Sequence, residues 1–350
     1  MTASTASAPQ QEQHPATPAA EAGGTLKGRL QQLLALGSLV VICVFFAIAD
    51  PIFLSYGNIT SILFATVVIG TLALGATFVI ITGGIDLSVG TGMALCAVIS
   101  GALITNMGLP IAVGVLGTLL FGALIGFLNG LNVTVLGLPP FIATLAMMLV
   151  AGGLALVISG SAPIYFDSTA YTDISTGSII PGTDFPNAVL ILAAVAVLAS
   201  VALSRTVLGR YTYAIGSNEE ATALSGVDVR KWKIVVYTLA GLFIGLAGVL
   251  ISARLGSAQP ATGMGYELQA IAAVVIGGTS LSGGKGSVVG TVIGALIISV
   301  LNNGLQVLAV PQEWQNVILG SVIVVAVYAD MARKRAAAGS GVTGVTGGAR

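Results

Sequence analysis

Long apolar runs separated by short polar breaks occupy most of the chain, from about residue 30 to residue 332. A helix needs ~20 apolar residues to cross a ~30 Å hydrocarbon core, and about ten of the runs reach or approach that length. The pattern therefore predicts an all-α polytopic membrane protein with about ten transmembrane helices. The predicted spans are 31–49, 60–82, 86–106, 109–132, 140–160, 187–204, 233–253, 267–282, 287–308 and 313–330.

The eighth predicted span, 267–282, is shorter and richer in glycine than the others. Interrupted segments of this kind form broken or re-entrant helices in membrane transporters. We therefore expect a broken or re-entrant helix at this place.

Polar stretches frame and interrupt the predicted membrane domain, residues 30–332. Residues 1–29 and 333–350 have no apolar periodicity and are predicted to be disordered cytoplasmic tails. Residues 161–186 are rich in Ser, Thr, Asp and Pro, and they are predicted to form a loop outside the cell membrane. Residues 205–233 carry mixed charge and are predicted to form a cytoplasmic loop that is long enough to hold its own helix.

Charged residues are scarce in the chain. Of the 350 residues, 55% are hydrophobic and 7% are charged, and the mean hydropathy is +1.00. This composition excludes an ordinary water-soluble domain. The formal net charge is zero, and no nucleic-acid partner is expected.

The basic residues predict the orientation of the chain. If the N-terminus lies in the cytoplasm, twelve of the 13 Lys and Arg residues fall on the cytoplasmic side and only Arg254 falls outside. This distribution follows the positive-inside rule, and it fits an even number of spans with both termini in the cytoplasm. The acidic residues assigned to the outside loops are Asp50, Asp167, Asp173, Asp184, Glu267 and Glu313.

One glycine-rich motif occurs twice, at residues 83–92 and 277–286, with the pattern G-G-x-x-L-S-x-G-x-G. With ten full crossings, both copies end spans at the cytoplasmic face, and spans 1–4 correspond to spans 7–10 as a parallel repeat; one re-entrant element would invert this relation. Irregular backbone at such a place indicates a pathway or a hinge. We interpret the pair as a quasi-symmetric inner gate or hinge, and we expect the first copy to be the functional one. Its candidate residues are Gly83, Gly84, Asp86, Ser88 and Gly90 in the first copy and Gly277, Gly278 and Ser282 in the second.

Several polar residues of the spans have two interpretations. Asp86 is either a functional carboxylate at membrane depth or the N-cap of the third span, and Ser88 and Ser282 share this ambiguity. Asn129 and Asn302 either line the path of a solute or hydrogen-bond neighbouring helices. Glycines at helical spacing are interpreted as packing faces, namely Gly122, Gly126 and Gly130, and Gly286, Gly290 and Gly294.

The cytoplasmic loop contains the signals of a short capped helix. Ser217 or Asn218 can cap its N-terminus, and Glu219 and Glu220 in the first turn suit the helix dipole. Gly226 provides the stop. Such a helix on a membrane surface is suited to docking into a groove of a partner, and the alternative is an ordinary linker.

No catalytic or metal-binding residue is predicted. The segment 281–285 resembles an ATPase signature, but the spacing around Gly284 and Lys285 does not make a phosphate-binding loop. Cys43 and Cys96 lie in apolar runs, which argues against a disulfide framework or a thiol metal site. ATP hydrolysis by this chain is therefore not expected.

Four stretches of the chain form a distinctive combination: the loop pattern A-I-G-x-N-x-x-A-x-x-x-S-G at 214–226, the run 83–90, Asn129-Gly130 followed by 140–145, and the stretch 275–290. In this combination the chain resembles the permease subunits of ribose-type ABC importers. It covers roughly residues 35–330, and the motifs are specific in combination. Thr222 departs from the family pattern, which usually has alanine there.

The resemblance implies a homodimeric channel, or one built with a close paralogue, in the bacterial inner membrane. The partners would be a cytoplasmic ATPase with two fused nucleotide-binding domains, which binds ATP and Mg, and an extracytoplasmic binding protein that delivers a monosaccharide. No cofactor is expected in this chain itself. The implied docking residues are Gly216, Asn218, Glu219, Glu220, Ala221, Ser225 and Gly226.

The sequence also bears on three other functions. A proton-coupled secondary transporter needs acids or histidines within the spans, and the sequence places essentially Asp86 alone there. Another small solute, such as a branched-chain amino acid or a nucleoside, stays open. An intramembrane enzyme is disfavoured because the chain has no catalytic pairing at helical spacing.

Overall fold

The computed structural model describes residues 21–340, and its side chains between residues 33 and 328 except residue 326. The helices are α1 (Glu21–Ala49), α2 (Tyr56–Ile81), α3 (Val89–Gly101), α4 (Ile111–Thr134), α5 (Pro140–Ser159), α6 (Thr169–Thr172), α7 (Asn187–Arg205), α8 (Val207–Ser217), α9 (Glu219–Leu224), α10 (Val229–Leu255), α11 (Tyr266–Ile276), α12 (Val288–Val307) and α13 (Gln312–Ser340). A short 3-10 turn (Pro51–Leu54) precedes α2, and a π-helical segment (Ala102–Asn106) extends α3.

Every predicted span contains one of these helices, which confirms an all-α polytopic membrane protein. Seven helices in the described part of the chain are long and apolar enough to cross a membrane: α2, α3 with its π-helical extension, α4, α5, α7, α10 and α12. The predicted shortness of the eighth span is confirmed, because α11 has only 11 residues. Residues 21–29 and 333–340 were predicted to be disordered, but they are helical as parts of α1 and α13; the rest of the two predicted tails lies outside the described residues.

Helix α2 lies at the centre of the bundle. It is apolar on all sides, and 89% of its most apolar 18-residue stretch is buried, as expected for a helix that other helices surround. Helices α4, α5 and α7 are apolar as well, but only 22–28% of the corresponding stretch in each of them is buried. Their exposed apolar faces are suited to contact with lipid.

Glycines allow α4 and α10 to touch backbone to backbone. A Cβ atom on Gly126 would lie 2.0 Å from the carbonyl oxygen of Tyr237, and one on Gly241 would lie 2.2 Å from that of Gly122. Helices α11 and α12 meet in the same way, at Gly277 and Gly290. The predicted packing role of the spaced glycines is thus confirmed for both helix pairs.

The bundle has two distinct ends. At the end that we call the inner end, α2 finishes at Ile81, α10 starts at Val229 and α12 starts at Val288. At the opposite, outer end, two-residue strands β1 (Ile164–Tyr165) and β2 (Ser257–Ala258) pair antiparallel.

The outer loop 161–186 is anchored into the bundle by Tyr171, which is fully buried. Its hydroxyl lies 2.8 Å from the hydroxyl of Ser100 on α3 and 2.7 Å from that of Ser252 on α10. Its ring stacks on Phe166 with 4.1 Å between the centroids. The loop therefore contacts two helices of the bundle through a buried side chain.

Candidate functional site

The two glycine-rich segments meet at the inner end. The amide of Gly284 donates a hydrogen bond to the carbonyl of Ile81, with 2.9 Å between nitrogen and oxygen. A Cβ atom on Gly283 would lie only 3.0 Å from the amide nitrogen of Gly83. The second segment is thus packed directly against the C-terminus of α2 and the start of the first segment.

The two copies of the motif nevertheless have different backbones. In the first copy Gly83 has a left-handed φ of +80°, whereas the corresponding Gly277 has a φ of −65°. Helix α3 begins inside the first copy at Val89, but α12 begins only after the second copy, at Val288. The shared sequence pattern therefore does not produce a symmetric pair of structures. We call the place where the two glycine-rich segments meet the inner junction.

A buried polar cluster follows the first segment and ties it to α4. The carboxylate oxygen Oδ1 of Asp86 accepts hydrogen bonds from the amide (2.8 Å) and the hydroxyl (2.6 Å) of Ser88. The side-chain amide of Asn129 donates to the Ser88 hydroxyl at 2.8 Å. The N-cap residue of α3 is Ser88, so the interpretation of Asp86 as the N-cap was wrong. Asp86 instead holds the turn between α2 and α3 against α4.

A cavity of about 380 Å³ opens at the inner end beside this junction. The hydroxyl of Tyr237 lies at its wall without a hydrogen-bond partner among the described residues, and a Cβ atom on Gly84 would lie 2.6 Å from it. Lys233 and Glu219 form an ion pair of 2.6 Å at the same cavity. The lining residues are Thr82, Gly83, Gly84, Val133, Pro140, Ile215, Gly216, Ser217, Asn218, Glu219, Lys233, Tyr237 and Ser282.

The predicted short helix in the cytoplasmic loop is α9. Asn218, rather than Ser217, is its N-cap, and the Asn218 side-chain oxygen accepts from the amide of Ala221 at 2.9 Å. Glu219 and Glu220 occupy the first turn, and Gly226 follows the last turn with a left-handed φ of +84°. Apart from Thr222, which is buried, the side chains of this helix are exposed, and the apolar Leu224 is 84% exposed.

Gly216 was predicted to be a docking residue together with this short helix, but it lies in the last turn of α8 and packs into the bundle. A Cβ atom on Gly216 would lie 1.7 Å from the carbonyl oxygen of Ile81 and 2.6 Å from the amide nitrogen of Gly284. One turn earlier, the hydroxyl of Tyr213 donates to the carbonyl of Gly286 at 2.8 Å. Burial raises the pKa of Tyr213, so the hydroxyl stays protonated as a donor. Helix α8 therefore contacts both the end of α2 and the second glycine-rich segment.

Two predicted site residues lie away from this junction. Gly90 contacts the backbone of Gly263, in the segment before α11. The side-chain amide of Asn302 donates to Gln269 on α11 at 3.3 Å. The structure therefore brings Gly83, Gly84, Ser282 and the loop around Asn218 together, with Asp86, Ser88 and Asn129 in the adjoining buried cluster, but it leaves Gly90 and Asn302 out.

Sequence reasoning misplaced Glu267, which was assigned to an outside loop. A Cβ atom on Gly90 would lie 2.4 Å from the Glu267 carboxylate oxygen Oε2, so this carboxylate lies against the start of α3 inside the bundle. The sequence did contain a signal for this position, because Glu267 is the first residue of the eighth predicted span, which is short and rich in glycine. Among the described residues, no group of three or more His, Cys, Asp or Glu side chains could hold a metal ion.

Comparison with known proteins identifies the class. Residues 58–327 match the family described as the permease component of the branched-chain amino acid transport system. This match covers well over half of the chain, and the protein therefore belongs to that family of membrane transport permeases. It is a multi-pass protein of the inner membrane.

Curated relatives are similar over nearly their whole length. The chain is 44% identical to the ribose import permease protein of Escherichia coli K12 over 305 residues, which cover 87% of this chain and 95% of the relative. It is 45% identical to the ribose import permease protein of Bacillus subtilis over 311 residues, 89% of this chain and 95% of the relative. The D-allose transport system permease protein of Escherichia coli K12 is 38% identical over 291 residues, 83% of this chain and 88% of the relative.

Proposed function

We propose that this chain is the membrane-spanning permease subunit of an ATP-driven importer for a monosaccharide of the ribose, allose or xylose type. The observation that carries the proposal is the 44–45% identity to ribose import permeases over 87–89% of the chain. Relatives named for D-allose and xylose transport support the sugar class. The family description names branched-chain amino acids, so leucine is the rival solute that a test has to include.

We further propose three kinds of partner. A second copy of this chain or a close paralogue completes the channel, and an extracytoplasmic sugar-binding protein delivers the solute. A cytoplasmic ATPase with two nucleotide-binding domains binds ATP and Mg and docks on α9. The exposed Glu219, Glu220, Ala221, Leu224 and Ser225 support this docking surface, because they combine acidic and apolar groups on a capped helix.

The proposed topology has ten crossings with both termini in the cytoplasm. The distribution of Lys and Arg supports it, as does the presence of a helix at each predicted span. The inner end of the bundle is then the cytoplasmic end. The correspondence of spans 1–4 with spans 7–10 stays a prediction from the sequence.

Contacts at the inner end support a route by which the ATPase moves the gate. Helix α9 is joined to α8 through the single residue Asn218 and to α10 through the Glu219–Lys233 ion pair. Helix α8 in turn touches Ile81 and Gly284 through Gly216. Movement of α9 by the closing ATPase would therefore reach both glycine-rich segments through rigid backbone contacts.

The test is transport by the purified permease, reconstituted in liposomes with its ATPase and binding protein from the same genome. We expect ATP-dependent uptake of one of D-ribose, D-allose or D-xylose, no uptake of leucine or a nucleoside, and no uptake when the ATPase is omitted. Uptake without the ATPase, driven by an ion gradient, would contradict the proposal. Uptake of leucine in place of sugars would contradict the substrate class.

A further inference from the structure

Two short helices meet by their N-termini deep in the bundle. Helix α3 starts at Val89 and runs toward the outer end, whereas α11 starts at Tyr266 and runs toward the inner end. Their starts touch through backbone, because a Cβ atom on Gly90 would lie 2.2 Å from the carbonyl oxygen of Gly263 and one on Gly263 would lie 2.1 Å from that of Gly90. Only glycine at both positions permits this approach.

This contact between the starts of α3 and α11 lies far from both ends of the bundle. Gly92, two residues into α3 from Gly90, packs on Ile244, where a Cβ atom would lie 3.0 Å from the isoleucine side chain. Ile244 lies in the middle of α10 (Val229–Leu255), and eleven residues at 1.5 Å each place it about 16 Å from the outer end of that helix. The contact between α3 and α11 therefore lies near the centre of a ~30 Å hydrocarbon core.

Glu267 places a carboxylate at this depth. The amide of Gly265 donates to both carboxylate oxygens, each at 3.1 Å, and the start of α11 favours a negative charge. The side chain is partly exposed on the surface of the single chain. Carboxylates at such depth face water or protein rather than lipid, so this face of the chain does not border the bilayer.

The neighbours of Glu267 show how far this face extends. Met264 is 81% exposed and Leu268 is 52% exposed, while Ile271, one turn further along α11, is partly exposed. We call four residues the open face of α11, namely Glu267, Leu268 and Ile271 on the helix and Met264 in the turn just before it. One carboxylate among apolar side chains suits a neutral sugar, whose hydroxyls donate hydrogen bonds and whose ring carbons pack on apolar groups.

We propose that the open face of α11 forms part of the wall of the water-filled translocation path, and that the Glu267 carboxylate accepts hydrogen bonds from the hydroxyls of the passing monosaccharide. This inference rests on the proposed function for the identity of the ligand. The exposure of this face to water is a separate claim, and the labelling experiment tests it without measuring transport.

The first experiment measures exposure to water in the assembled importer. Leu268→Cys and Met264→Cys are made in a background with Cys43→Ala and Cys96→Ala, and labelling by a charged, membrane-impermeant thiol reagent is followed in liposomes. Leu149→Cys is the matched control, because Leu149 is 69% exposed on α5, three residues from Gly152, which lies beside Thr91 at the same depth. We expect the two cysteines of the open face to react at least about tenfold faster than the α5 cysteine, since lipid excludes a charged reagent. We also expect the transported sugar at saturating concentration to slow this reaction.

The second experiment tests the carboxylate. Glu267→Gln should lower uptake at sub-saturating sugar by roughly tenfold or more, the usual effect of losing hydrogen bonds to a charged group, while the ATPase activity stimulated by the binding protein is kept. Glu313→Gln, at an exposed acid at the start of α13, should leave uptake unchanged.

Equal reactivity of the open-face cysteines and the α5 cysteine would overturn the inference, and so would a labelling reaction that sugar does not slow. If Glu267→Gln fails to fold, the cysteine variants still decide the matter. If the wild-type importer carries no sugar at all, the proposed function fails, and labelling still reports whether this face is exposed to water.

Discussion

Gly216 is held at a point where no side chain fits, between the C-terminus of α2 and the second glycine-rich segment. The atoms that surround it are the backbone oxygen of Ile81 and the backbone nitrogen of Gly284. Backbone atoms cannot rotate away as the tip of a flexible side chain can. Any larger residue at position 216 therefore has to push α8 away from the gate segments.

We expect Gly216→Ala to destabilise the protein by about 1–3 kcal/mol, the usual cost of overpacking, and to reduce sugar-stimulated ATP hydrolysis. Gly153→Ala is the matched control, since Gly153 is also helical and a Cβ atom there would have nothing within 4 Å. The midpoint of thermal unfolding in detergent and the ATPase rate of the reconstituted complex check both effects. Equal midpoints for the two variants would show that the contact at Gly216 is not rigid.

At the scale of elements, α9 separates two tasks that the sequence had assigned to one segment. Gly216, at the end of α8, faces the bundle, while Glu220 and Leu224 on α9 face the solvent. A docking surface needs an exposed apolar anchor, and interface energy is concentrated in a few such residues. Leu224, at 84% exposure, is the apolar anchor that α9 presents.

We expect Leu224→Ser to weaken binding of the ATPase by roughly tenfold or more, the usual effect of truncating a binding hot spot. Leu136→Ser is the control, because Leu136 is 65% exposed in the turn between α4 and α5. Affinity between the purified permease and the ATPase is the measurement, and sugar-stimulated ATP hydrolysis should fall in parallel. If both variants bind the ATPase equally well, α9 is not the docking surface.

At the scale of the whole molecule, the side of the membrane on which the C-terminal end of α13 lies depends on the number of crossings, one of which contains the short α11. With ten crossings, the turn at Gly182 lies outside and the C-terminal end of α13 lies in the cytoplasm. Helices α10 and α12 both start at the inner end, so the chain between them returns there from the outer end, and α11 runs in that direction. The short α11 and the segment before it therefore make one crossing together, and the count of ten includes it.

We expect an alkaline phosphatase reporter to be active when inserted after Gly182 and inactive when fused after residue 340, because this enzyme folds only where disulfides form. A cytoplasmic fluorescent reporter at the same two places should give the reverse pattern. Activity of the phosphatase at both places would contradict ten crossings with both termini inside.

The sequence predicted those parts of the candidate site that depend on local chemistry. The cap at Asn218, the acidic first turn and the stop at Gly226 were readable because each depends on neighbours within a few residues. The pairing of Asp86 with Ser88 and Asn129 was not, since Asn129 reaches the cluster from another helix. Glu267 was misplaced because a loop that enters the bundle looks, in a sequence, like a loop outside it.

The sequence by itself determined the class of the protein, the positions of its helices and its family, because apolar periodicity and local motifs are properties of the chain. Only the tertiary structure decided which glycines carry backbone contacts, that the two copies of one motif fold differently, and that a carboxylate lies near the middle of the bundle. These outcomes depend on how α2, α3, α10 and α11 pack. Packing between distant segments is set by shape and burial, which no short window of sequence contains.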